Sequence, residues 1–382
     1  MALVRDRALA RRATLLATGA LALAFASRAT AQDIPARLAD STFWRMVTQF
    51  SEPGGYFRSD NFVSNETSFQ YIIPELQKTT RPGGAYLGVA PDQNFTYIIA
   101  LRPKIAFLFD IRKQMVMQQL MYKALIELSA DRVEFMSRLF SRPRPAGLDT
   151  SATPEALMAA FAAIVPDSSF YRRNWNALKD RLLKVHGFTL SDTAFSSIEY
   201  VYDAFYSAGP AITYNFGPGG GFRGGGMPTF SSLIVETDGT GLRRSYLASE
   251  ANYRALREME LNNLIVPVVG DFAGPKAIRA VGQYLKDHKV NVTAFYTSNV
   301  EQYLFQQADD WRRYYANVAT LPLDSTSQFI RSYSMGANLA NFHAQSPYSR
   351  SIQLIASITE LLKAFNEGKV LQYSDVILMS HQ

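Results

Sequence analysis

Two short apolar runs, residues 85–89 and 105–109, flank a helix-like segment at 94–101, and the second run closes on Asp110. Unbroken apolar runs of this length predict strands covered on both faces, and strand, helix, strand in this order predicts a parallel βαβ unit. A second unit of the same kind lies far downstream. Residues 264–269 form a β-branched run, 270–274 a turn, 276–288 a helix with Pro275 at its first position, and 290–296 a returning strand. Two such units sharing one sheet predict an α/β fold, a Rossmann-like, mostly parallel sheet with helices on both faces.

The stretch between the units keeps a helical rhythm. Residues 115–140 form a long amphipathic segment ended by Pro143 and Pro145, and 153–164, 170–186, 191–207, 229–237 and 249–262 read as further helices. Together they predict a helical cap inserted at about 113–262. Before the first strand, Asp40-Ser41-Thr42 predicts a cap for a helix at 43–50, and residues 67–77 read as another helix. At the far end, 351–366 reads as a helix stopped by Gly368, and 370–379 as a final strand.

The first 31 residues stand apart. Arg5, Arg7, Arg11 and Arg12 precede an uncharged run at 13–27, and Ala29-Thr30-Ala31 supplies an A-x-A cleavage pattern. This is the anatomy of an export signal peptide, so a mature domain of residues 32–382, periplasmic or secreted, is expected. Arg11-Arg12 resembles a twin-arginine leader and leaves the export route open. The segment also carries most of the charge: five arginines and one aspartate account for +4 of the formal +6, leaving +2 on the rest. No basic stripe remains to attract nucleic acid, and no later run is apolar enough to suggest stable membrane insertion. With no Cys in the chain, disulfides, thiolate metal sites and cysteine nucleophiles are excluded.

Candidate chemistry gathers where strands should end. From Gly88 to Asp110 is 22 residues, close to the spacing at which a carboxylate closing a second strand meets a ribose hydroxyl. Asp92, Asp110 and Asp271 are expected to point to one rim, an acidic cleft suited to hydroxyls, amines or a cation. The polar cluster Ser59-Asp60-Asn61 with Asn65-Glu66 reads either as turn residues or as a loop folding over that rim, which adds Asp60 and Glu66 to the candidates. Four histidines lack any metal-ligand spacing, so no metal site is expected. His186 and His288 suit helix C-termini. Gly219-Gly220-Gly221-Phe222-Arg223-Gly224 matches G-x-G-x-x-G without a helix behind it, which reads as a loop rather than a phosphate cradle.

Four stretches together resemble an uncharacterised group of bacterial proteins with an S-adenosylmethionine-dependent methyltransferase-like fold. They are Tyr86-Leu87-Gly88-Val89-Ala90-Pro91-Asp92-Gln93-Asn94, Phe109-Asp110-Ile111-Arg112, residues 268–274 around Asp271, and Tyr296-Thr297-Ser298-Asn299-Val300-Glu301. The resemblance implies a methyltransferase-like sheet and adds Gly88, Asn94, Arg112, Ser298 and Asn299 as ligand-binding candidates. It also implies S-adenosylmethionine as a cofactor. The turn Ala90-Pro91-Asp92 departs from the Gly-x-Gly-x-Gly pattern that lets this cofactor approach, and an exported enzyme is cut off from a cytoplasmic methyl donor, so the cofactor is disfavoured. The expectation is an exported protein that binds a small polar ligand at the strand ends without an assigned reaction. The alternatives are a methyltransferase with a degenerate cofactor loop and a non-catalytic partner-binding protein. Oligomeric state is left open.

Overall fold

The computed structural model describes residues 33–215, 227–334, 342 and 351–382. The leader, the glycine-rich loop and His343 lie outside the described residues. Six strands form one sheet in the order β3-β2-β1-β4-β5-β6, with β1 Ala85–Val89, β2 Ile105–Asp110, β3 Ile265–Val269, β4 Val292–Ser298, β5 Gln328–Ser334 and β6 Ser351–Ser357. β1 pairs in parallel with both β2 and β4, so Leu87 sits between Phe107 and Phe295. Only β6 runs antiparallel, against β5. Every residue of β1, β2 and β3 is buried, which is why these strands read as unbroken apolar runs. Pro267, which lacks an N–H, lies in β3 at the sheet's edge, where a missing ladder bond is tolerated.

Helices flank the sheet. Before it come α1 Asp40–Gln49 and α2 Ile73–Thr79; α3 Gln93–Leu101 packs on β1 and α4 Lys113–Leu128 on β2 and β3. The single segment expected at 115–140 is two helices, α4 and α5 Arg132–Leu139, because Asp131 caps a new N-terminus by accepting from the Glu134 N–H. There follow α6 Pro154–Ala162, α7 Ser168–Asp180 with a π-turn at Arg181–Val185, α8 Asp192–Ala208, α9 Phe230–Val235 and α10 Glu250–Leu261. The helix after β3, α11 Ala277–Asp287, begins two residues past Pro275. Its first N–H groups are taken by the Glu52 carboxylate, which accepts from Lys276 and Ala277. The chain then adds α12 Val300–Leu304 and α13 Asp310–Val318.

The C-terminal third departs most from expectation. Residues 351–366 are not one helix but β6 followed by α14 Ile358–Asn366. Ser357 caps α14 by accepting from the Glu360 N–H, a Ser-x-x-Glu start signal in the middle of the supposed helix. The strand expected at 370–379 is instead α15 Tyr373–Leu378, whose first turn is held by Asp375. Strand β5 carries a charge at its centre, and Arg331 is fully buried because it pairs with Glu301. The helix expected at 67–77 forms only from Ile73 onward. Among the described residues, no helix is long and apolar enough to cross a membrane.

Candidate functional site

Strand order reverses between β1 and β4, so the loops that follow these two strands diverge and leave a crevice outside their carboxyl ends. A cavity of about 200 Å³ occupies that crevice, far more than a single water needs. Its wall carries six of the ten sequence candidates: Glu66, Asp110, Arg112, Asp271, Ser298 and Asn299. The loop at 57–66 does fold over the strand ends, contributing Phe57, Asn61, Asn65 and Glu66 to the same wall.

The other four candidates do not line this cavity. Asn94 pins the turn after β1: its Nδ2 donates to the carbonyls of Val89, Ala90 and Pro91, and its Oδ1 accepts from the Tyr86 hydroxyl. Gly88 is bare because a Cβ there would lie 2.0 Å from Asn94 Oδ1. Asp60 accepts from the Tyr200 hydroxyl at 3.1 Å, away from the cavity. Asp92 corrects the expectation of three aspartates on one rim. It turns inward, is 4% exposed, and accepts from the Tyr246 hydroxyl at 3.1 Å. With burial as the dominant influence, its carboxyl is pushed up to about 7.

Asp110 and Arg112 form a closed unit. The guanidinium donates from Nε to Oδ1 at 2.9 Å and from Nη2 to Oδ2 at 2.8 Å, and the Arg112 backbone N–H adds a third bond to Oδ1. Nη1 reaches the carbonyls of Ser59 and Asp60. The pair is therefore a clasp that fastens the 57–66 loop to the end of β2, and both its charges are matched.

Glu66 is matched differently. It is 4% exposed, and its donors are the Ser298 hydroxyl at 2.6 Å, the Tyr296 hydroxyl at 2.8 Å, Gln93 Nε2 at 3.1 Å and the Ser332 hydroxyl. None of these carries a charge. Burial raises the Glu66 carboxyl above the usual range, and the hydroxyl and amide donors oppose the shift without cancelling it. Asp271, half-buried on the opposite side of the strand ends, is likewise raised by burial, with Asp310 and Glu52 adding repulsion. Its own N–H donates to Glu52.

Backbone conformation marks the same place. Ala90, directly after β1, has φ +67°, Ser298, at the end of β4, has φ +52°, and Asn61 has φ +56°. All three line the cavity, and left-handed non-glycine residues are uncommon enough that three on one wall indicate a region over-determined by its surroundings. Gln93 and Tyr296 are site residues that sequence reasoning missed. Tyr296 was readable as the last residue of the strand expected at 290–296, whereas Gln93 had no separate signal. The histidines divide: His288 donates to the Tyr284 carbonyl at its helix end, while His186 lies between two carboxylates, Asp40 and Glu127. Among the described residues no group of three His, Asp or Glu side chains could hold a metal ion.

No curated protein matches the chain. The profile of a domain family of unknown function, DUF7790, matches residues 61–153 and 230–379, two segments that carry all six strands and nearly all of the cavity wall. The chain belongs to this family of unknown function.

Proposed function

We propose that this chain is exported by its N-terminal leader and binds a small ligand in the cavity at the ends of β1 and β4. The observation that carries the reading is a buried carboxylate, Glu66, held by neutral donors on the wall of a cavity at the sheet's switch point. A protein that needed Glu66 only for packing would gain nothing from the desolvation it endures there. The strained backbone at Ala90 and Ser298 supports the same place.

Methyl transfer is the second reading, favoured by the methyltransferase-like features of the sequence and by Asp110 closing β2 on the cavity wall. The wall fits adenosylmethionine poorly. Arg112 is the one cation among the described wall residues, and it is committed to Asp110 and the loop carbonyls, so the amino-acid carboxylate of that cofactor would find no free cationic partner there. The turn after β1 is also closed by Asn94 rather than left as bare glycine backbone.

The test is calorimetric titration of the mature protein with adenosylmethionine, beside a thermal-shift panel of nucleosides, polyols and amines. A panel compound that raises the melting temperature, and loses that effect in Asn299→Trp, supports the cavity. Heat on adding adenosylmethionine moves the balance to methyl transfer. Silence from every small molecule favours a non-catalytic partner-binding protein. Fractionation of cells expressing the full chain tests export: mature protein retained in the cytoplasm would sink that part.

A further inference from the structure

We infer that the cavity takes a small organic cation, an ammonium on an apolar body, with Glu66 as its counter-charge; this deepens the ligand-site reading and rests on it. Three carboxylates line the cavity, Glu66, Asp110 and Asp271, against a single guanidinium that is already paired with Asp110. Two negative side chains are left without a cationic partner within salt-bridge distance among the described residues. Glu66 is the deeper of the two, and a buried carboxylate whose donors are only hydroxyls and an amide is where an added positive charge gains most.

The rest of the wall suits the other end of such a ligand. Val89, Ile111, Phe272 and Leu304 are apolar, and Tyr296 and Tyr303 line the same space, side chains that accept an aliphatic or aromatic body. A second, independent feature is Asn61. It lines the cavity, is 7% exposed, and has an amide oxygen without a hydrogen-bond partner among the described residues. A buried acceptor left open in this way lacks the donor that an ammonium N–H supplies. An anionic ligand is the opposite case, since it would bring a third unmatched negative charge into a low-dielectric space.

The experiment compares benzylamine with benzyl alcohol, which differ chiefly in charge, by calorimetry near neutral pH on the parent protein and on Glu66→Gln. The expected result is that the amine binds at least about tenfold more tightly than the alcohol, and that Glu66→Gln removes this margin. Equal binding of amine and alcohol overturns the cation reading but leaves the cavity as a ligand site. So does a margin that survives in folded Glu66→Gln, or binding confined to the uncharged members of the thermal-shift panel. If Glu66→Gln does not fold, the amine and alcohol pair on the parent protein decides alone. If no compound of any class binds, the ligand site itself falls, and with it this inference.

Discussion

Replacing Arg112 with Met tests how the site is held together. The guanidinium and its Asp110 partner are 8% and 5% exposed in their side chains, so the ion pair is screened little by water. Methionine keeps much of the apolar stem but leaves Asp110 as a buried charge without a cation and releases the carbonyls of Ser59 and Asp60. Removing one member of a buried pair costs about 3–5 kcal/mol, chiefly through the stranded partner. With an unfolding entropy of about 2.1 cal/mol/K per residue over roughly 350 residues, the melting temperature should fall by about 4–7 °C. The double variant Asp110→Asn/Arg112→Met removes the stranded charge as well, and should cost only about 1–2 kcal/mol. Urea and thermal unfolding of the parent, the single and the double variant measure both quantities. A single variant no worse than the double, or one that loses less than about 1 kcal/mol, would refute the claim that a desolvated pair clasps the loop.

Two further outcomes follow from buried ionisable groups elsewhere. Asp92 titrates near 7 in the folded chain against an ordinary value of 3.8, so it holds its proton more tightly when folded; stability is greatest below the ordinary value and is lost as pH rises through about 7. Asp92→Asn should flatten that slope, gaining on the parent between about pH 4 and 7 by at most about 4 kcal/mol, and parallel pH-stability curves for the two proteins would count against it. His186 places Nδ1 2.7 Å from Asp40 and Nε2 2.6 Å from Glu127 and stacks on Phe188, so His186→Ala should cost about 2–4 kcal/mol in chemical denaturation. A loss no larger than that of an exposed alanine substitution would mean the carboxylates re-pair without it.

The parallel core was legible because both faces of its strands are covered: β1, β2 and β3 carry no charged residue other than the Asp110 that closes β2, and little competes with that signal. The edge of the sheet was not. In β5 the sequence Gln328-Phe329-Ile330-Arg331-Ser332 places a charge in the middle of a buried strand, and the distant Glu301, which fixes Arg331 through two hydrogen bonds, makes that placement tolerable. For β6, the apolar positions of 351–357 continue without a break into those of α14, and the Ser357 cap that separates them outweighs the periodicity. Of the candidate site, the loop carboxylate Glu66 was visible only as part of a polar cluster, since its burial depends on hydroxyls from Tyr296 and Ser298, about 230 residues away along the chain.

On the proposed reading, ligand charge at this site would be set by which carboxylate goes without a cation, and that is a property of pairing rather than of composition. Sequence spacing singles out Asp110, which closes the second strand where a ribose hydroxyl would be met, yet the arginine two residues later satisfies it. Of the two carboxylates left without a cation among the described residues, the deeper is Glu66, which enters from a loop outside the sheet and is stabilised by hydroxyl and amide dipoles alone. Dipoles of that kind orient a carboxylate without neutralising it, so its field still extends into the cavity. It follows that neutralising Asp110 together with Arg112 should loosen the loop while leaving the ligand's preferred charge unaltered, whereas neutralising Glu66 should alter that preference with the clasp intact. The two effects are separable because the clasp and the counter-charge, though they line one cavity, share no hydrogen bond among the described residues.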